Sequence, residues 1–244
     1  MFRLRKNFGP SFSGAFALVI TLLALGNGLR PAYAQFECDS ANVGEDGQGA
    51  NADGSSDNTA CGNNALASGT GSGNTAAGAA ANASGDGSLN TANGFAANAS
   101  GDQSRNTAVG AAADATGDNS INTALGFGAE ASGDRSFNTT LGAGAQAFGN
   151  DSNNMAVGVE ASAFGNGSSN SASGPGANSS GDISGNVANG GFANASGDGS
   201  TNIANGFNAN ASGNDSDNIA IGSGASAAGD GRASIAIGAG GRAR

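Results

Sequence analysis

Ser100-Gly101-Asp102-Gln103-Ser104-Arg105-Asn106-Thr107-Ala108-Val109-Gly110-Ala111-Ala112-Ala113-Asp114-Ala115 is a sixteen-residue phrase whose near-copies run from residue 52 to residue 243. Glycine returns in unbroken register at Gly62, Gly78, Gly94, Gly110, Gly126, Gly142, Gly158, Gly174, Gly190, Gly206, Gly222 and Gly238. A strict period of this length predicts a stack in which each copy is one coil resting on its neighbour. The competing reading is a disordered Gly/Ser/Asn-rich segment, which a fixed repeat length argues against. Positions in the phrase are numbered 1 (Ser100) to 16 (Ala115).

A helix is excluded by glycine at positions 2 and 11 and by the Asn, Ser and Asp crowded between them. Positions 7 to 11, as in Asn218-Ile219-Ala220-Ile221-Gly222, alternate an invariant small or polar set with a variable, often β-branched set. Positions 14 to 16, as in Ala129-Glu130-Ala131, alternate alanine with a mostly polar residue. Both patterns predict short strands, with glycine-containing corners between them. The fold class is therefore all-β: a parallel β-roll or solenoid of twelve coils, about 58 Å long at the usual strand spacing. Period two turns positions 7, 9, 11, 14 and 16 inward, making a narrow interior of methyl groups, with the position 7 asparagines stacked as an amide ladder.

Positions 8 and 10 then face outward, yet many are apolar: Val109, Leu125, Leu141, Met155, Val157, Ile203, Ile219, Ile221, Ile235 and Ile237. An apolar stripe on a solvent face predicts association between copies.

The ends differ in kind from the array. Arg3, Arg5 and Lys6 precede the apolar run 15–25, and Ala32-Tyr33-Ala34 supplies small residues for cleavage, which reads as a signal peptide over residues 1–34. A membrane anchor is the alternative, but the run is shorter than the roughly 20 residues a bilayer requires, so no transmembrane anchor is expected. Residues 35–51 form a non-repetitive lead or cap, followed by the array at 52–244. Beyond residue 34 five arginines stand against nineteen acids, a net charge near −14, with no Lys or His. Nucleic acid is a poor partner for such a surface. The two cysteines, Cys38 in the lead and Cys61 at position 10, suit a disulfide in an oxidising compartment; two separate small apolar residues are the other reading.

Ser234-Ile235-Ala236-Ile237-Gly238 and Asn218-Ile219-Ala220-Ile221-Gly222, each followed by x-x-Ala-x-Ala or a close variant, resemble the head repeats of YadA-type trimeric autotransporter adhesins. The resemblance spans the array and implies a left-handed β-roll in a homotrimer, with positions 8 and 10 lining the trimer interior. It further implies an exported Gram-negative surface protein whose head attaches to host matrix, cells or surfaces. The chain departs from that pattern in a repeat two residues longer, the extra pair falling in the corner before position 7. Neither a heptad stalk nor a membrane-spanning β segment is read within residues 52–244.

Other columns have competing readings. Asp86, Asp102, Asp118, Asp134, Asp182, Asp198 and Asp230 at position 3 offer carboxylates for calcium. Substitution by Asn150, Asn166 and Asn214 favours instead an acceptor of backbone hydrogen bonds within each turn. Thr59, Thr75, Thr91, Thr107, Thr123 and Thr139 at position 8 form a ladder of the kind that orders water for ice binding, but the column continues as Met155, Ser171, Val187 and isoleucines. No base accompanies the serine columns, no cofactor motif is present, and an enzyme is not expected. Asn-Ala-Ser triplets such as Asn98-Ala99-Ser100 match a glycosylation acceptor and also form the seam of the repeat.

Overall fold

The computed structural model describes residues 36–38, 49–54 and 57–243, with only the backbone considered at 36–38. The signal-peptide reading of 1–34 and most of the 35–51 lead lie outside the described residues. What is described is a parallel β-solenoid of twelve coils, and the array's phrase is the coil.

One ladder runs the whole length. Thirteen three-residue strands pair in parallel in chain order, starting with Phe36–Cys38, Thr59–Cys61 and Thr75–Ala77 and ending with Ile219–Ile221 and Ile235–Ile237. Within the array they occupy positions 8 to 10, and register joins like positions, as in Thr107 with Thr123 and Val109 with Leu125. The expected second strand is narrower. Asn51–Gly54, Leu66–Gly69 and Asn82–Ser84 make a three-stranded sheet, after which single position 15 residues continue the bridge from Asn98 to Arg242.

The first coil breaks the strict period. Ala52 pairs with Ala67 and Gly54 with Gly69, an offset of fifteen, whereas Thr59 pairs with Thr75. One residue is missing from its corner, which the glycine register at position 11 does not reveal. Moreover, Phe36–Cys38 pairs with Thr59–Cys61, and Asn51 donates its amide to the Ala65 carbonyl, so the described part of the lead already follows the coil path.

The interior is set by columns. Alanines of positions 9, 14 and 16 are fully buried almost throughout, and so are the position 7 asparagines from Asn58 to Asn218. Position 5 serine, read from sequence as part of a corner, is also buried, for example Ser104 and Ser120. Each core side chain removes little apolar area from water, so the polar satisfaction of the column matters as much as its burial.

The position 7 column corrects the amide-ladder expectation. Asn106 Oδ1 accepts the Asn122 backbone N–H at 2.9 Å, while Asn106 Nδ2 donates to the Ser100 and Gly117 carbonyls at 3.0 and 2.9 Å. The amides bond to backbone rather than to one another. The physical reason is an accounting one: alternate corner amides reach a neighbouring carbonyl, as Gly101 N–H reaches Ser84 and Gln103 N–H reaches Asp86, and those between them do not. Side-chain oxygens supply the missing acceptors. Ser104 Oγ takes the Ser120 N–H, and Asp118 Oδ1 takes the Asp102 N–H of the preceding coil. Thus positions 3, 5 and 7 are Asp or Asn, Ser, and Asn because each must present an oxygen to an adjacent coil.

Glycine at positions 2 and 11 has a steric cause. A Cβ on Gly101 would stand 2.0 Å from the Gly117 carbonyl oxygen, and one on Gly110 would stand 2.4 Å from that of Gly126. Both also hold positive φ, 144° and 133°. Position 4 and position 13 turn through the left-handed region as well, yet accept Gln103, Ile183, Ala112 and Phe192. There the side chain points away from the stack, so only the backbone preference opposes it.

Candidate functional site

With positions 5, 7 and 9 turned inward, positions 6, 8, 10 and 12 form the outer face of the long ladder. All ten residues expected from the sequence at an interface fall on that face. Val109, Leu141, Met155, Ile203, Ile221, Ile235 and Ile237 are exposed in the single chain, whereas Leu125, Val157 and Ile219 are half-buried by neighbours in the same columns. Ile237 reaches 70% exposure, a large apolar surface left to water.

The face is wider than sequence reasoning drew it. Position 12 adds the exposed Phe95, Phe127, Val159 and Phe207, and position 6 adds Leu89, Ile121 and Phe137. Phe192 at position 13 meets Phe207 edge-on at a centroid distance of 6.0 Å. The available signal was that period two extends through the corner glycine at position 11. Columns 8, 10 and 12 contain no charged residue in any coil, in a chain of strongly acidic composition.

The opposite features are polar. Position 15 carries Asn98, Asp114, Glu130 and Gln146 in one bridged row. Burial from water pushes the Asp114 carboxyl above its ordinary value, and one of its oxygens lacks a hydrogen bond. In the position 3 column each carboxylate or amide oxygen accepts an amide from the preceding coil, not from its own turn as expected from the sequence: Asp86 takes Thr70 N–H, Asn150 takes Asp134 N–H, and Asp182 takes Asn166 N–H. The Thr70 amide bond holds the Asp86 carboxyl below its usual value. A neutral Asn serves this role as well as Asp, which explains why the two interchange. Among the described residues no three Asp, Glu, Cys or His side chains converge as a metal site.

Two aromatic substitutions interrupt the position 1 serines. Phe148 and Phe164 stack nearly parallel, with centroids 4.9 Å apart. Phe164 closes one end of a shallow groove of about 590 Å³, whose other residues include Ser196, Asp198, Asn214 and Asp230. Near the N-terminal end Cys61 is disulfide-bonded, and the backbone register sets Cys38 beside it. Arg135 and Asp151, both at position 4 and well exposed, form a two-point ion pair one coil apart.

No protein-family model and no curated protein matches this sequence. The architecture and its surface chemistry therefore carry the functional argument.

Proposed function

We propose that this chain is the head of an exported adhesin: a left-handed β-roll that assembles as a homotrimer through positions 8 and 10 and attaches to extracellular matrix or cell-surface ligands. One observation carries the reading. Columns 8, 10 and 12 are uncharged, column 8 passes from threonine to valine and isoleucine along the rod, and an exposed stripe of that extent on an acidic chain calls for a partner surface free of like charge. A further copy of the same chain supplies that surface. The remaining polar columns repeat at the coil spacing, so weak contacts made by each coil multiply by valency without a deep pocket.

The test is solution mass. The wild-type chain is expected to scatter light as a trimer, and Ile219→Asp with Ile221→Asp is expected to give monomers that keep the β circular dichroism. A wild-type monomer would refute the assembly. Binding of the trimer, and not of the monomeric variant, to immobilised matrix proteins tests the adhesive role. Thermal hysteresis abolished by Thr107→Val and Thr123→Val would instead assign the threonine ladder to ice.

A further inference from the structure

The chain contains nine Asn-x-Ser/Thr triplets, at Asn82, Asn98, Asn138, Asn150, Asn166, Asn178, Asn194, Asn210 and Asn214. The repeat generates them, but the fold does not treat them alike. Asn138 is fully buried, with Nδ2 donated to the Ser132 and Gly149 carbonyls. Asn82 donates Nδ2 to Asn98 Oδ1. In the corner triplets the amide oxygen takes a backbone N–H of the preceding coil, as at Asn150 and Asn166. The partner serines Ser152, Ser168 and Ser216 are buried and donate to the Gly149, Gly181 and Gly213 carbonyls, not to the side-chain oxygen of their own triplet's asparagine.

Position 15 of the ninth and tenth coils is different. Ser196 Oγ donates to Asn194 Oδ1 at 2.8 Å and Ser196 N–H donates to the same oxygen at 3.1 Å. Ser212 repeats both contacts on Asn210, at 2.8 and 3.1 Å. Each asparagine is partly exposed on the outside of the coil, and its Nδ2 has no hydrogen bond to the described protein. Asn98 shows the hydroxyl contact at 3.1 Å, but its oxygen also receives Asn82. At Asn178 the serine hydroxyl turns to Ser162 instead.

We propose that Asn194 and Asn210 are acceptors for asparagine-linked glycosylation. The hydroxyl and amide fix the asparagine oxygen and draw electron density toward it, which leaves Nδ2 as the free, acidified end of the side chain. In the transfer, Nδ2 attacks C1 of an activated glycosyl phosphate donor. The N–C1 bond forms, the C1–O bond to phosphate breaks, the phosphate leaves with that electron pair, and one amide proton passes to a base on the transferase. A glycan there projects from the polar row, away from columns 8 and 10, and so is compatible with both a folded coil and a covered apolar face. On Asn138 it would have to enter the core.

This inference rests on the export reading, and one experiment separates the two. The full chain is expressed with its own leader in Gram-negative cells that carry an asparagine-linking oligosaccharyltransferase outside the cytoplasm, recovered from outside the cytoplasm, and deglycosylated by an amidase in ¹⁸O water, which converts each formerly modified asparagine into labelled aspartate. Peptide mass spectrometry is expected to find label at Asn194 or Asn210, lost in Ser196→Ala and Ser212→Ala and retained in Ser196→Thr and Ser212→Thr. A secreted chain unlabelled at both positions, or labelled as often at Asn150, Asn166 and Asn214, overturns the proposal. A chain that keeps its leader and stays in the cytoplasm overturns the export reading beneath it and is recognised by its location in the cell.

Discussion

Thr140 provides the sharpest check on the core, because it is the single departure from alanine at position 9. It lies in register between Ala124 and Ala156, is fully buried, and its Oγ1 has no hydrogen-bond partner. A buried hydroxyl without a partner costs about 1–3 kcal/mol. Thr140→Val keeps the side-chain volume and removes only that penalty, so it should stabilise the chain by about 1–3 kcal/mol. Thr140→Ala removes the penalty but also gives up a buried methyl worth about 0.8 kcal/mol, which leaves a net gain of about 0–2 kcal/mol. Such gains correspond to about 2–4 °C in Tm per kcal/mol for a chain of this length. Repeat arrays can open piecewise, so thermal unfolding by circular dichroism should be paired with hydrogen exchange at the Leu141 and Val157 amides, where slower exchange is expected. A gain in the alanine variant with none in the valine variant would mean that crowding, not the unpaired hydroxyl, is the defect. Destabilisation in both would show that the hydroxyl is satisfied.

Asp114 makes stability depend on pH in a definite direction. Its folded carboxyl titrates above the ordinary 3.8 because burial disfavours the charged form, so its stabilising contribution is present below that value and is lost as pH rises through the folded value. Asp114→Asn should raise Tm at pH 7 and leave it nearly unchanged at pH 3, and an equal shift at both would remove burial of charge as the cause. At Ile183 a β-branched residue holds φ at 51° with its side chain 78% exposed, where the neighbouring coils place Gly167 and Gly199. Ile183→Gly should therefore stabilise by about 1 kcal/mol, and a loss of Tm would mean that the isoleucine makes contacts outweighing the strained backbone.

Much of this fold was legible because the chain states its geometry twelve times. Fixed repeat length forced a stack, glycine at positions 2 and 11 marked the corners, and period two turned positions 7, 9, 14 and 16 inward; the residues found there are buried. The outward columns 8 and 10 followed from the same alternation. Position 12 was equally available, since nothing in the alternation stops at Gly110, but treating the corner glycine as an end to the strand hid Phe95, Phe127 and Phe207.

What sequence could not supply is which atom meets which across the stack. Read along the chain, Asp102 resembles an acceptor for its own loop, Ser104 an ordinary corner residue and Asn106 one rung of an amide ladder. Only the neighbouring coil shows that their oxygens satisfy amides sixteen residues away, as Ser120 N–H on Ser104 Oγ and Asn122 N–H on Asn106 Oδ1. The one-residue deletion in the first corner was likewise invisible to a glycine count and plain in the pairing of Gly54 with Gly69. The sequence alone therefore determined the period, the corners and the inner and outer faces, since these follow from local sterics and alternation. Tertiary structure decided the hydrogen-bond economy of the corners and singled out Asn194 and Asn210 among nine matching triplets, since a polar atom's role depends on what stands one coil away.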